Sequence, residues 1–130
     1  MKTLVAEDDL ASRRFMVQFL SQYGECDSTV DGLEAVEAFK MAFEAGKGYD
    51  LVCMDIMMPE QDGYESLREI RSFEREHGLD EMTGAKIIMT TALADGKSIQ
   101  KAFDLGCIAY ASKPIDKNKF ERELKKLGLI

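Results

Sequence analysis

Leu51-Val52-Cys53-Met54-Asp55 is a run of four apolar residues closed by a carboxylate, with no alternation of apolar and polar positions. A strand with one face in water alternates. A run that does not alternate suits a strand covered on both faces, as in a parallel sheet. Thr3–Ala6, Lys86–Thr90 and Ile108–Ala111 have the same character, and Cys26–Val30 is a more polar fifth candidate expected nearer a sheet edge. Between these runs apolar residues recur three and four apart, the spacing of a helix with one buried face. Ala11–Tyr23 carries Phe15, Phe19, Leu20 and Tyr23, and Leu33–Ala45 carries Val36, Phe39 and Phe43. Tyr64–His77 follows with Leu67, Ile70, Arg71 and Phe73; Lys97–Leu105 with Ile99, Ala102 and Phe103; Asp116–Leu127 with Phe120, Leu124 and Leu127. Asp31-Gly32-Leu33-Glu34 has the form of a capping box, Asp95 is placed to cap and Gly106 to stop. Strand and helix therefore alternate five times, which predicts an α/β domain with right-handed crossovers. Gly78–Ala85, polar and with two glycines, is read as a loop.

Nothing divides the chain: its 130 residues hold no repeat, low-complexity tract or Pro/Ser linker, so residues 1–130 are expected to form one domain. Hydrophobic residues at 45% and charged residues at 32% exclude a disordered or membrane-embedded composition. The N-terminus lacks the long apolar region of a signal peptide, which makes the cytoplasm the expected location. Cys26, Cys53 and Cys107 are odd in number and form no CxxC pair, so reduced thiols, largely buried, are expected. A net charge of −7 argues against direct nucleic-acid binding. Lys125-Lys126 suits a helix C-terminus rather than a phosphate patch. His77, the one histidine, lies in a charged stretch and is expected at the surface rather than as a phosphohistidine donor.

Polar residues interrupt the strand runs at telling places. Glu7-Asp8-Asp9 follows the first run, Asp55 ends the third, Thr91 follows the fourth, and Lys113-Pro114 follows the fifth. Parallel strands end on one rim, so four sequence-distant sites converge there, where open α/β sheets bind ligands. Clustered carboxylates repel one another unless a cation sits among them. Oxygen donors suit Mg²⁺, and the lack of a neighbouring His or Cys speaks against zinc. A phosphoryl group arriving at this rim would meet the ammonium of Lys113 and the hydroxyl of Thr91, with a carboxylate available as nucleophile. Taken alone, each acid could equally be a solvated turn or a cap, and Asp9 is most simply a cap. Asp62-Gly63 is read as a turn into the third helix.

Val5-Ala6-Glu7-Asp8-Asp9, Met54-Asp55-Ile56-Met57-Met58-Pro59-Glu60-Gln61-Asp62-Gly63, Met89-Thr90-Thr91-Ala92 and Tyr110-Ala111-Ser112-Lys113-Pro114 together resemble the receiver domains of bacterial two-component response regulators. The resemblance runs from Leu4 to the last helix. It implies a doubly wound, flavodoxin-like or CheY-like sheet of five parallel strands in the order 2-1-3-4-5. It further implies that Asp55 accepts a phosphoryl group from the phosphohistidine of a sensor histidine kinase or histidine phosphotransfer protein. By position, Asp8, Asp55 and the Met57 carbonyl would bind Mg²⁺ (Mn²⁺ as a substitute), Glu7 would act through a water, and Thr91 and Lys113 would hold the phosphoryl oxygens. Tyr110 occupies the aromatic position that turns inward with the Thr and repacks the face of the fourth helix, fifth strand and fifth helix, where a downstream protein would dock. A cis Lys113–Pro114 bond is also implied. Such a protein is a signalling switch rather than an enzyme, single-domain or part of a phosphorelay, with no nucleic-acid or membrane contact of its own.

Several positions depart from the pattern. Asp55 and Thr91 are 36 positions apart, a few more than is common, with the excess assigned to Gly78–Ala85, and Ala109 stands where Gly is frequent. Met57 and Leu93 flank the path of the hydrolytic water in this family and here are apolar, which predicts slow self-dephosphorylation. Two other readings share the topology. A haloacid-dehalogenase-type phosphatase needs an acid two residues after the nucleophile, where Met57 stands, and a cap segment that the chain lacks. A flavin-binding module needs a Ser/Thr/Gly phosphate loop where Glu7-Asp8-Asp9 stands.

Overall fold

The structure is a computed structural model that describes residues 1–92 and 95–130. Five strands and five helices alternate along the chain: β1 (Thr3–Ala6), α1 (Leu10–Ser21), β2 (Cys26–Thr29), α2 (Gly32–Glu44), β3 (Leu51–Asp55), α3 (Gly63–Glu76), β4 (Lys86–Thr91), α4 (Gly96–Asp104), β5 (Ala109–Ser112) and α5 (Lys117–Lys126). All strand pairs are parallel, in the order β2-β1-β3-β4-β5. The polar strand β2 lies at an edge, as its composition predicts.

Alternation is present in the central strands, but both of its phases are apolar. Leu4, Val52, Met54, Ile87 and Met89 face one layer, packed with Val36 and Phe39 of α2 and Leu67 and Ile70 of α3. Val5, Leu51, Cys53 and Ile88 face the other, packed with Phe19 and Leu20 of α1 and Phe120 and Leu124 of α5. A strand buried on both faces has little room for polar residues in its middle, so Thr3, Asp55, Thr90 and Thr91 fall at or next to the strand ends. Cys53 and Cys107 are buried thiols and Cys26 is half-buried.

Each helix begins behind an aspartate: Asp9, Asp31, Asp62, Asp95 and Asp116 are the five N-caps, and each carboxylate accepts a main-chain amide of the first turn. These caps set the helix starts against the periodicity. Four helices begin one residue earlier than their apolar spacing suggests, while Asp116 caps α5 rather than joining it. At the other end, Tyr23 keeps the apolar register of α1 but lies beyond it; its ring meets Phe19 edge-on across the closing turn. Gly78–Ala85 is a loop, tied by Asp80, whose Oδ1 accepts from the amides of Met82 and Thr83.

Candidate functional site

The carboxyl ends of β1, β3, β4 and β5 bring the sequence-selected residues to one rim. Asp55 is the last residue of β3, paired in register with Thr90, and Thr91 is the fully buried last residue of β4. Glu7 extends β1 by one more bond, its amide donating to Thr29 O at 3.1 Å. Glu7, Asp8 and Asp55 each offer a carboxylate oxygen, all within 4.8 Å of one another. Glu7 is 2% exposed and Asp55 5%, whereas Asp8 is exposed.

Lys113 crosses from the end of β5 to answer this charge. Its Nζ donates to Glu7 Oε1 and, at 3.0 Å, to Asp55 Oδ2. Its own amide donates to Thr91 O at 2.8 Å, which ties the ends of β4 and β5 together, and the Lys113–Pro114 bond is cis. Burial pushes the Glu7 carboxyl up to about 7, against the lowering effect of its bonds to Lys113 and the Asp9 amide. Burial alone would lower the Lys113 ammonium; the bonds to Glu7 and Asp55 outweigh it and hold Lys113 raised. Two buried acids thus share one cation.

The turns around the acids are packed against backbone. The Met57 amide donates to Asp55 Oδ1 at 3.3 Å, and the Met57 side chain is 63% exposed on the rim. Gly63 donates to Ile56 O at 2.7 Å; a Cβ there would lie 2.3 Å from Asp55 O and 2.8 Å from Ile56 Cα. Asp62 thus caps α3 while Gly63 lets the helix start directly beneath the acid. Tyr110 is half-buried in β5 and lines a cavity of about 240 Å³ with Ile88, Pro114, Ile115 and Phe120. Leu93 lies outside the described residues.

Arg13 is the participant that the sequence does not mark. Its Nη1 donates to the main-chain oxygens of Glu7, at 2.9 Å, and Asp8, at 3.3 Å. An arginine in the first turn of an amphipathic helix reads as a solvated charge, and only the closeness of α1 to the β1 turn reveals otherwise.

The donor set suits a hard divalent cation. Three carboxylates converge, two of them buried and sharing a single ammonium, and no His or Cys stands among the donors.

Comparison with known proteins agrees with this geometry. A family model described as "Response regulator receiver domain" matches residues 3–125. The chemotaxis protein CheY of Treponema pallidum is 33% identical over 91% of this chain and 76% of its own length. A Saccharomyces cerevisiae structure pairs a histidine phosphotransfer signaling protein with the receiver domain of its downstream response regulator. It matches with a TM-score of 0.85 at 25% identity, over 98% of this chain and 88% of that one. The Borrelia burgdorferi CheX–CheY complex with beryllium fluoride and magnesium matches with a TM-score of 0.84 at 25% identity, over 98% and 89%. Among longer relatives the share is small: the chain spans 7% of the hybrid signal transduction histidine kinase L of Dictyostelium discoideum, at 33% identity over 98% of this chain. No helix among the described residues is long and apolar enough to cross a membrane.

Proposed function

The chain belongs to the response regulator receiver domains of two-component signalling, and we propose that within it Asp55 is the residue that accepts the phosphoryl group. The observation that carries this reading is the convergence of Glu7, Asp8 and Asp55, with Lys113 Nζ 3.0 Å from Asp55 Oδ2. An Asp55 carboxylate oxygen forms the new O–P bond as the P–N bond of a partner's phosphohistidine breaks. The electron pair leaves with the imidazole nitrogen, and Asp55 becomes an acyl phosphate. Lys113, already facing Asp55, pairs with a phosphoryl oxygen, and the Thr91 hydroxyl contacts a second.

Glu7, Asp8, Asp55 and the Met57 carbonyl are the groups that would hold the cation, Mg²⁺ with Mn²⁺ as a substitute. Bound, it supplies positive charge opposite Lys113 and offsets the phosphoryl oxygens. Two buried acids and one exposed one, served by one ammonium, support this assignment.

The domain acts as a switch and catalyses only its own phosphorylation and dephosphorylation. Phosphate on Asp55 draws Thr91 toward it and Tyr110 inward, which shifts the population of the α4-β5-α5 face toward a form that binds a downstream protein. The half-buried setting of Tyr110 beside a cavity supports such a move. A histidine kinase or histidine phosphotransfer protein is the phosphodonor, and the solved pairing of such a protein with a similar receiver supports that choice. Free thiols and the proposed partners suit the cytoplasm. A haloacid-dehalogenase-type phosphatase is disfavoured, since the thioether of Met57 cannot pass a proton where that chemistry requires an acid.

Intact-mass measurement after incubation with Mg²⁺ and acetyl phosphate tests the reading. A single phosphoryl adduct, absent in Asp55→Asn, is expected. Turnover of phosphate esters without a lasting adduct would overturn it.

A further inference from the structure

Of the three clustered acids, two are held by their side chains. Glu7 and Asp55 both bond Lys113 Nζ. Asp8 differs: it is exposed, and among the described residues its carboxylate makes no hydrogen bond or ion pair. What places that carboxylate is the backbone on either side of its Cα, and one side chain reaches both of its carbonyls. The Glu7 carbonyl belongs to the peptide plane before Asp8, and the Asp8 carbonyl to the plane after it. A single nitrogen, Arg13 Nη1, donates to both, at 2.9 and 3.3 Å. The Arg13 amide also donates to Asp9 O at 2.9 Å, the Asp9 amide to Glu7 Oε2 at 3.1 Å, and Asp9 Oδ2 accepts from the Ser12 amide at 2.9 Å. The first turn of α1 therefore closes over the acid pair, with the half-buried Arg13 side chain as the strut that fixes both planes around Asp8.

We propose that Arg13 is a positioning residue that sets the divalent-cation affinity of the site by orienting Asp8. The proposal rests on the reading of Asp8 as a cation ligand. Charge and orientation make opposite demands here, which makes the idea testable by sign. A guanidinium beside the acids repels a cation, so if Arg13 acted only as a charge, its removal would tighten cation binding. If it orients Asp8, its removal loosens both peptide planes, leaving the second tied by the Asp9 amide to Glu7 Oε2, and weakens binding, as loss of outer-shell support around metal ligands does.

Calorimetric titration of the metal-free protein with MgCl₂ separates the two. Arg13→Met keeps the aliphatic stem and removes the donors; about tenfold weaker Mg²⁺ binding is expected. Arg13→Lys keeps one nitrogen with three protons, enough to serve both carbonyls, and is expected to restore most of the affinity. Arg14→Ala, which removes the exposed neighbouring charge, should leave affinity unchanged. Equal or tighter binding in Arg13→Met overturns the proposal, and so does equal weakening in Arg13→Met and Arg13→Lys. Absence of Mg²⁺ binding in the unaltered protein would instead sink the underlying reading of the acid cluster, and this inference with it.

Discussion

Lys113 shows how one side chain can make a costly arrangement tolerable. Two carboxylates are costly to bury beside each other; a shared ammonium offsets part of that cost and is itself held raised by its bonds to them. The same rim has no polar counterpart at Met57, whose side chain lies open to solvent at 63% exposure. A thioether cannot orient an attacking water by hydrogen bonding, so an acyl phosphate on Asp55 should be hydrolysed slowly. The phosphoryl lifetime, followed as decay of the adduct mass once the donor is removed, is expected to be many minutes. Met57→Gln should shorten it several-fold, and a lifetime of seconds in the unaltered protein would contradict the account.

Among the elements, the helix starts carry the chemistry of placement. Five aspartate caps set where the helices begin after the strand ends. For α4, the Ser98 amide and then its hydroxyl hold the Asp95 carboxyl below its ordinary value of 3.8. A depressed acid stabilises the folded state above the unfolded value, and that contribution is lost as pH falls through the lower folded value. The Ser98 amide resonance should therefore titrate with a midpoint below 3.8; a midpoint at or above 3.8 would contradict the cap. Gly63 places α3 against β3 by having no side chain. Gly63→Ala, whose Cβ would lie 2.3 Å from Asp55 O, should cost about 1–3 kcal/mol in urea unfolding.

Most of this architecture was legible along the chain, because strands buried on both faces leave unbroken apolar runs and their ends are marked by the first acid, hydroxyl or lysine. Asp55 and Thr91 proved to be the last residues of β3 and β4. What remained hidden depends on approach in space. Arg13 reads as an exposed helical charge, and Arg71 fits the apolar register of α3 without revealing that it is 2% exposed and bonded through Nε and Nη1 to three partners.

At the scale of the molecule, Arg71 and Glu74 form a second charged centre, away from the rim. Arg71 Nη1 lies 2.6 Å from Glu74 Oε1 and 2.8 Å from Ala85 O, its Nε donates to Gly106 O at 2.9 Å, and Glu74 Oε2 accepts from the Ala85 amide at 2.7 Å. The pair joins α3 to the entry of β4 and to the α4–β5 connection, and it anchors the long loop over residues 78–85. Breaking it should be expensive because the remaining charge stays buried. Glu74→Leu is expected to cost about 3–5 kcal/mol in urea unfolding, and Arg71→Met added to it should recover part of that loss. A cost of Glu74→Leu below about 1 kcal/mol would contradict this role. The two centres divide the labour: Arg71 and Glu74 hold the sheet's entry side together, while the rim keeps its acids available for chemistry. The claim on which the whole account turns is that Asp55 carries the phosphate, and borohydride reduction of the acetyl phosphate-treated protein locates it directly. Reduction of an aspartyl phosphate leaves homoserine, and peptide sequencing is expected to find it at position 55 alone. Homoserine at another aspartate, or none at all after an adduct has been seen by mass, would contradict the account.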